Sequence, residues 1–450
     1  MQDSRATTTP AAASNRVLTC VREDHNFSRR CFLQGAIAGG LAFGGFNRLF
    51  AEDTAASARK AHKHVILLFM SGGPSQFETW DPKPGRPTGG PHMTIPTSIP
   101  GVHFDEYMPN LARLANRMVT IRSMTSNQGD HTLGAFLAQT AYQPTQIVAP
   151  PPHWLSICSK LLPSPDKDLP AYVNVGKEGD SLAVPGAGYL GPRYDGLYCP
   201  GNGEPPQDLP KGVTQEQLAA MQRRQQLRAA LGEGFKQGRD PQLVQTHDSA
   251  YEQMQKLIAK SDLFDISKEK SDDAQRYGKT KFGRDCLLAR RLVEKGVSFV
   301  RVQHQNGLAW DKHRRAFESQ RHITTEFDIA TGALINDLIA RGLWKDTLMI
   351  LMGEFGRTPD LLGQGSPGRN HWTKSWSLSF GGCGLKEGVM VGATNENGTD
   401  IKDRPVTIHD LFCTFYHALG LNPHKELFFE GRPIPLVEDK KGKPIAEALG

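Results

Sequence analysis

Continuous runs of largely apolar residues recur along the chain, each long enough for a β-strand and too short for a typical helix. Four of them occupy residues 64–70, 118–121, 297–303 and 348–352. Because these runs lack the regular polar alternation of a half-exposed strand, we expect both faces of each strand to be buried. Burial on both faces is typical of parallel strands covered by helices. A further strand is predicted at residues 375–380.

Helical patterns fill much of the chain between these strands. Most are amphipathic, whereas two are polar, rich in Gln and Arg, and expected to be solvated. The alternation of strand and helix predicts an α/β fold with a mostly parallel central sheet flanked by helices on both faces. The predicted helices cover residues 106–116, 132–142, 214–238, 240–260, 272–295, 316–342 and 406–419.

One long segment, residues 143–211, interrupts this pattern. It is rich in Pro and Gly and carries several aromatic residues. We interpret it as an irregular insertion that lies over the sheet edge and forms one wall of a pocket. The insertion belongs to a single large α/β domain at residues 64–437, which is followed by a tail at residues 438–450.

Composition excludes some classes of function. Of the 450 residues, 22% are charged and 38% are hydrophobic, and the net charge is +6. The basic residues are scattered or mixed with acidic ones, which argues against a nucleic-acid interface. No run reaches the roughly 18 apolar residues that a membrane-spanning helix needs, so no membrane span is predicted.

The amino terminus has the features of a targeting segment. Arg29 and Arg30 precede a mildly apolar stretch at residues 35–46. This arrangement resembles a bacterial twin-arginine signal, so we expect a leader at residues 1–51 and a linker at residues 52–63. An amphipathic helix of the folded domain is the alternative, but five glycines in the stretch disfavour it. The expected partner during export is the twin-arginine translocase, and the expected location is the periplasm or the cell surface.

Five cysteines lie beyond the predicted leader. No two of them have the spacing of a C-x-x-C pair or a zinc ribbon, so a cysteine metal site is not expected. An odd number leaves at least one free thiol or an intermolecular bridge, and it allows one structural disulfide. These cysteines are Cys158, Cys199, Cys286, Cys383 and Cys413.

Carboxylates and imidazoles follow the carboxyl ends of several predicted strands. Because these ends share one edge of a parallel sheet, the side chains there are expected to converge. A mixture of oxygen and nitrogen ligands suits Zn, Mn or Fe better than Ca, which prefers oxygen alone. The sequence therefore predicts a site for a divalent metal, in the simplest case a single ion. The candidate ligands are Glu78, Asp81, Asp311, His313, Glu354 and His371.

Each of these residues also has an ordinary structural interpretation. Glu354 and Arg357 could form an ion pair, and His371 could serve only its own loop. Asp81 precedes a proline, as turn residues often do. The recurrence of ligating residue types after successive strands favours the metal site.

Other residues at these strand ends are candidates for binding an anion or moving a proton. Arg357 and Arg369 could hold an oxyanion. His131 follows a strand and a polar turn at the start of a predicted helix, where the first amides lack partners and can bind an anion. Asp130 and Thr132 beside it are equally suited to cap that helix.

In combination, these motifs resemble those of the bacterial domain of unknown function 1501 family, which is common in planctomycete-type bacteria. The resemblance covers nearly all of the mature chain, and its motifs occur in the same order. That family is in turn similar to the sulfatase and alkaline-phosphatase superfamily, whose members bind divalent metals at strand ends and cleave phosphate or sulfate esters. The motifs lie at residues 66–84, 122–125, 129–131, 310–313, 353–359 and 368–372.

The resemblance also implies roles for individual residues. Asp311 and His313 stand where the superfamily places an Asp and His pair, and His371 stands for a later histidine ligand. Phe355 stands where the superfamily has a histidine ligand, and Ser71 and Gly72 stand where a first aspartate ligand is usual. These departures imply a single or reduced metal site.

The sulfatase nucleophile motif is missing, so the hydroxyls of Thr125, Ser126 and Thr132 are the candidates to replace it. The resemblance thus implies an exported, metal-dependent hydrolase of sulfate or phosphate esters, with an anionic small molecule or glycan as substrate. The alternative is a non-catalytic binding protein for anionic glycans.

Overall fold

The computed structural model describes most of the chain beyond its amino-terminal segment. Residues 1–61, with the predicted leader and most of the linker, lie outside the described part, as does much of the predicted helix at residues 240–260. The described residues are 62–144, 150–162, 164, 166–176, 185–206, 209, 214–232, 234, 238–239, 244, 248, 251, 254, 257–305, 307–363 and 367–450.

Strands and helices alternate along the described chain. The strands are β1 (His64–Phe69), β2 (Thr94–Pro96), β3 (His103–Asp105), β4 (Met118–Thr125), β5 (Tyr172–Val175), β6 (Leu197–Cys199), β7 (Phe299–Gln303), β8 (Thr347–Met352), β9 (Gly356–Arg357), β10 (His371–Trp372), β11 (Trp376–Gly382), β12 (Val389–Val391), β13 (Ala393–Thr394), β14 (Ile401–Asp403), β15 (Val406–Thr407), β16 (Glu426–Phe429) and β17 (Arg432–Pro435). The helices are α1 (Pro109–Arg113), α2 (His131–Thr140), α3 (Trp154–Leu161), α4 (Gln215–Leu231), α5 (Ser271–Arg276), α6 (Lys281–Glu294), α7 (Ala316–Ala340) and α8 (Ile408–Ala418).

The largest sheet within the described residues has nine strands. Their order is β12-β4-β11-β8-β1-β7-β5-β6, with β15 also paired to β4. Strand β11 is antiparallel to its neighbours β4 and β8, and all other pairs of this sheet are parallel. Because β4 and β8 both oppose β11, their carboxyl ends lie at the same edge of the sheet as those of β1 and β7.

Alternate side chains of β1 enter two hydrophobic cores, one on each face of the sheet. Val65, Leu67 and Phe69 belong to the core formed with α2, α3 and α8. Ile66 and Leu68 belong to the core formed with α1, α6 and α7. These five side chains are at most 1% exposed, so the apolar run is buried on both faces as predicted. The predicted α/β class, with a mostly parallel sheet flanked by helices, is confirmed.

The segment at residues 143–211 differs from its prediction. Its described part contains β5 and β6, which pair in parallel with each other, and β5 also pairs with β7. Tyr172, Val173 and Val175 are buried there, and their β-branched and aromatic side chains favour a strand once a neighbouring strand is available. The described part of the segment therefore supplies two strands at one edge of the sheet, where we expected an irregular insertion lying over that edge.

Three further elements have other bounds than predicted. Strand β4 continues to Thr125, through residues expected to form a polar turn, because β15 pairs with its last two residues. The helix predicted at residues 272–295 is divided into α5 and α6. Gly278 lies between them with a φ of +78°, and the Thr280 side chain caps the start of α6 by accepting from Gly283 N. Helix α1 is shorter than predicted, at Pro109–Arg113.

Two observations bear on export and redox state. No helix in the described part of the chain is long and apolar enough to cross a membrane. The five cysteines named above are all buried free thiols there, so the disulfide that the sequence allowed does not form among them.

Candidate metal centre

The loop after β7 returns Asp311 to the carboxyl end of β1. Trp310 N donates to Ser71 O at 3.0 Å, which fixes the loop on the strand end. Gly72 permits this approach, because its φ is +106° and a Cβ atom there would lie 2.5 Å from Asp311 N. A side chain at Gly72 would therefore displace the loop that carries Asp311.

Two histidines reach the same place from other elements. His371 lies in β10, directly opposite Arg357 of β9, so a two-residue antiparallel ladder brings it to the end of β8. His131 is the first residue of α2, and the preceding Asp130 caps the helix by accepting from Leu133 N at 3.1 Å. Asp130 is therefore a helix cap, as one of the two sequence interpretations held.

Asp311 is the common acceptor of the site. Its Oδ1 lies 2.9 Å from His313 Nε2 and 3.5 Å from His371 Nε2. Its Oδ2 lies 3.4 Å from His131 Nε2. Burial alone would raise the pKa of Asp311, but the neighbouring imidazoles of His131 and His371 and the charge of Arg357 hold that pKa far below its usual range.

The other ring nitrogen of each histidine faces an oxygen. An acceptor at Nδ1 fixes the orientation of an imidazole ring and leaves Nε2 available to a metal. The three Nε2 atoms are therefore the ones directed towards Asp311. The pairs are His131 with Glu354 Oε1 at 2.7 Å, His371 with Gly129 O at 2.6 Å, and His313 with Asn370 Oδ1 at 2.8 Å.

Two carboxylates act on His131. Burial disfavours its charged form, but Asp311 and Glu354 outweigh burial and raise the pKa of His131 to about 9. The Nε2 atom is nevertheless buried without a hydrogen bond of good geometry, and so is the second carboxylate oxygen of Glu354, Oε2. Buried polar atoms without partners are expensive, and a bound cation would satisfy the His131 Nε2 atom.

Three of the residues have the geometry of a metal site. One ligand atom from each of His131, Asp311 and His371 lies within 4.8 Å of the other two. The two histidine Nε2 atoms approach different oxygens of Asp311, that of His131 at 3.4 Å from Oδ2 and that of His371 at 3.5 Å from Oδ1. Two imidazoles and one carboxylate suit Zn, Mn or Fe. The residues present therefore fit a divalent ion.

Glu354 lies behind His131 and does not join this set of three. Its Oε1 accepts from Gly72 N at 2.8 Å as well as from the histidine. A carboxylate that holds the far side of a histidine ligand fixes its ring and raises its basicity. The structure thus supports Glu354 as an orienting residue, in contrast to its predicted position as a direct ligand.

The two arginines expected to hold an oxyanion are buried and bonded within the protein. Arg357 is 1% exposed and donates from Nε to Gly73 O and from Nη1 to Arg369 O, at 2.9 and 3.0 Å. Its remaining terminus, Nη2, contacts Gly72 O and Asp311. Arg357 therefore positions Asp311 and the loop after β1, and four of its five N–H donors are used within the protein.

Arg369 occupies a second buried position, away from the histidines. It donates to Glu78 Oε1 from Nη2 at 2.8 Å and from Nε at 3.1 Å, and also to three backbone carbonyls. Glu78 is completely buried in this pair. Asp81 accepts from Lys83 Nζ at 2.8 Å and from Thr394 Oγ1 at 2.5 Å. Glu78 and Asp81 thus follow β1 as predicted but lie outside the histidine cluster, each held by another partner.

The candidate hydroxyls lie on both sides of the turn after β4. Ser126 N donates to Thr373 O at 3.0 Å, while Ser126 Oγ is buried without a hydrogen-bond partner in the described part of the chain. Thr132 follows His131 directly and is exposed. Thr125 Oγ1 is 3.4 Å from Thr373 O.

Phe355 closes one side of the site. Its ring is fully buried, with its centroid 5.0 Å from that of His131 and 4.7 Å from that of His371. A Cβ atom on Gly73, whose φ is +67°, would lie 2.7 Å from this ring. An apolar ring thus fills the position next to the two histidines and offers no further ligand there.

Sequence reasoning missed the groups that surround the cluster. Asn370 and the carbonyl of Gly129 hold two of the histidines. Lys312 and Arg314 line an adjoining cavity of about 620 Å³, together with Asp311. In the sequence, Lys312 and Arg314 flank His313 directly after Asp311, and this run of cations was the signal that could have indicated a cationic cavity.

Comparisons with known proteins give a family and several distant structural likenesses. No curated protein matches the sequence of the chain. A sulfatase from Pseudoalteromonas sp. shares 15% identity at a TM-score of 0.38, over 87% of this chain and 77% of that chain. The phosphonate monoester hydrolase of Agrobacterium radiobacter shares 14% identity at a TM-score of 0.35, over 85% of this chain and 78% of that chain. A protein of the alkaline phosphatase superfamily from Vibrio parahaemolyticus shares 11% identity at a TM-score of 0.35, over 87% of this chain and 71% of that chain.

At such TM-scores these likenesses carry no weight for the activity of the chain. The sequence model of one family, described as protein of unknown function (DUF1501), matches residues 62–449. This match covers more than half of the chain and confirms the family that the motifs indicated. The chain therefore belongs to the DUF1501 family.

Proposed function

We propose that the protein is a divalent-metal-dependent hydrolase of sulfate or phosphate esters. The observation that carries the proposal is the convergence of three imidazole Nε2 atoms on the carboxylate of Asp311. Each imidazole has its Nδ1 on an oxygen acceptor, so the rings are oriented before any metal binds. Such an arrangement of orienting partners is expected of a metal centre and is not needed by a simple ion pair.

The chain would hold the ion through His131, Asp311 and His371. Arg357 fixes the Asp311 carboxylate, and Glu354 fixes His131. When bound, such an ion supplies polarisation of the ester and a lower pKa for an attacking hydroxyl or water.

The cavity beside the ligands supports an anionic substrate. Lys312 and Arg314 line it, and neither forms an ion pair with a carboxylate of the described residues. Their charges favour a ligand that carries negatively charged sulfate or phosphate groups. A hydroxyl from Ser126 or Thr132, or a water molecule, would be the nucleophile.

Metal analysis and turnover test this proposal on the exported, natively purified protein. We expect about one equivalent of a transition metal and metal-dependent hydrolysis of p-nitrophenyl sulfate or p-nitrophenyl phosphate. His371→Ala should lose both. His417→Ala, at an exposed position in the last turn of α8, is the matched control and should retain both. Absence of metal from active protein would refute the proposal.

A binding protein for anionic glycans is the second candidate. It is favoured by the burial of Arg357 and Arg369 and by the use of most of their donors within the protein, which draws two groups away from stabilising a reaction intermediate. Retention of metal and of a sulfated glycan, with no turnover of either ester, would establish this second candidate in place of the first.

A further inference from the structure

The segment at residues 312–315, next to the metal ligands, lines an open cavity with cationic side chains. The cavity has a volume of about 620 Å³, and its walls include Lys312, Arg314 and Arg315, with Glu318 and His322 from the first turns of α7. Asp311 also lines it. The cavity is therefore continuous with the candidate metal centre.

The charges in this cavity are only partly compensated. Arg315 is paired with Glu318, from Nη2 to Oε2 at 2.6 Å. In the part of the chain that the structure describes, no carboxylate lies within ion-pair distance of Lys312, Arg314 or His322. A positive surplus thus remains after the internal pair is counted. Concave walls concentrate such a field more than a convex, solvated face does.

The cations of the cavity are additional to the charge that a bound metal would supply. A metal ion held by His131, Asp311 and His371 would itself offset the charge of the group that is hydrolysed. Three residues of extended chain span at most about 10 Å, so the Cα atoms of Arg314 and Asp311 lie within roughly that distance of each other. The remaining cations would thus face a second charged group of the same ligand.

We propose that Lys312 and Arg314, with His322, form an anion subsite that binds a second sulfate or phosphate group of the substrate. The ligand is then a polyanion, not an isolated monoester. This inference rests on the proposed function for the identity of the first group. The subsite itself depends only on the cavity and its cations.

Calorimetric titration with small polyanions tests the subsite. Sucrose octasulfate and inositol hexakisphosphate represent sulfated and phosphorylated ligands, and inorganic sulfate and phosphate represent single groups. We expect Lys312→Met/Arg314→Met to weaken binding of the preferred polyanion at least about tenfold, because each lost charged hydrogen bond has an effect of that order. Binding of the single ion should change less than about twofold, since the metal remains.

Two variants act as controls. Lys386→Met removes an exposed lysine beyond the end of β11, at the opposite edge of the sheet, and should leave polyanion affinity unchanged. Arg314→Lys keeps the charge and should retain most of the affinity. Melting temperatures of all variants verify that they are folded.

The proposal is overturned if the double variant binds both polyanions as tightly as the unaltered protein, or if Lys386→Met weakens them equally. The comparison of the two polyanions decides between a sulfated and a phosphorylated ligand. Failure of the proposed hydrolase is recognised separately, because polyanion binding that depends on Lys312 and Arg314 would then persist in protein without metal or turnover.

Discussion

Replacing Glu354 with glutamine tests whether a buried carboxylate orients His131 for a metal. The Oε1 atom of Glu354 accepts from Gly72 N at 2.8 Å and lies 2.7 Å from His131 Nδ1. Glutamine retains the shape and one carbonyl oxygen but removes the negative charge. Outer-shell carboxylates of this kind typically contribute about 10- to 100-fold to metal affinity. The expected loss is therefore about 1.4–2.7 kcal/mol of binding free energy.

The pH of the measurement decides whether this loss is visible. The pKa of His131 is raised to about 9 in the metal-free protein, so at pH 7 a proton competes with the metal by a factor of about 100. Glu354→Gln would lower this pKa and weaken the competition, which offsets part of the lost affinity. At pH 9, close to this pKa, about half of the molecules still hold the proton, so the competition falls to about twofold and most of the loss should appear.

Calorimetric titration with Mn²⁺ in oxygen-free buffer at pH 7 and pH 9 measures both effects. Glu438→Gln is a matched control, since Glu438 is also buried and lies 3.6 Å from a histidine, His409. The control should lose stability without losing metal affinity. Equal affinities of Glu354→Gln and the unaltered protein at pH 9 would refute the orienting role.

Four other predictions concern the metal, its protons, the outer shell and export. A chelator should lower the melting temperature, because an ion at 100 times its Kd adds about 2.7 kcal/mol, and His371→Ala should abolish the effect. Since the raised pKa of His131 keeps its proton bound up to about pH 9, metal binding at pH 7 should release about one proton, and affinity should rise with pH until then, as titrations in buffers of different ionisation enthalpy will show. Asn370→Ala should weaken Mn²⁺ binding less than about tenfold, because its partner His313 lies outside the compact ligand set. Replacing Arg29 and Arg30 with Lys should leave precursor in the cytoplasm in a fractionation assay, if the twin-arginine signal directs export.

The central strands could be predicted because their signal is local. The runs at β1 and β8 are almost entirely apolar, and such a run is enough by itself to predict a strand that is buried on both faces. Strands β5 and β6 could not be predicted, since they are short and lie among Pro and Gly residues. Their formation depends on pairing with each other and with β7, a tertiary contact that overrides local preference.

The sequence predicted which residues of the candidate site lie at this edge of the sheet, but only in part which residues they contact. Asp311, His131 and His371 follow strand ends and do converge. Glu78 also follows a strand end, yet its side chain turns to Arg369. Sequence reveals which residue types stand at the edge of the sheet, whereas the direction of each side chain depends on a partner distant in sequence. The same reason explains why Asn370, an outer-shell residue, could not be recognised.

The position of His313 decides whether the site is suited to catalysis. Structural zinc sites are closed by four protein ligands, whereas catalytic sites have three and leave one position open. His313 Nε2 lies 2.9 Å from Asp311 and 3.2 Å from His371, but the compact set of three ligands excludes it. Its ring is 43% exposed and lines the cationic cavity. A fourth ligand that stays outside the shell leaves an open position towards the substrate, and the hydrolase proposal depends on that opening. If His313 instead closes the shell, the same residues would make a metal-stabilised binding site.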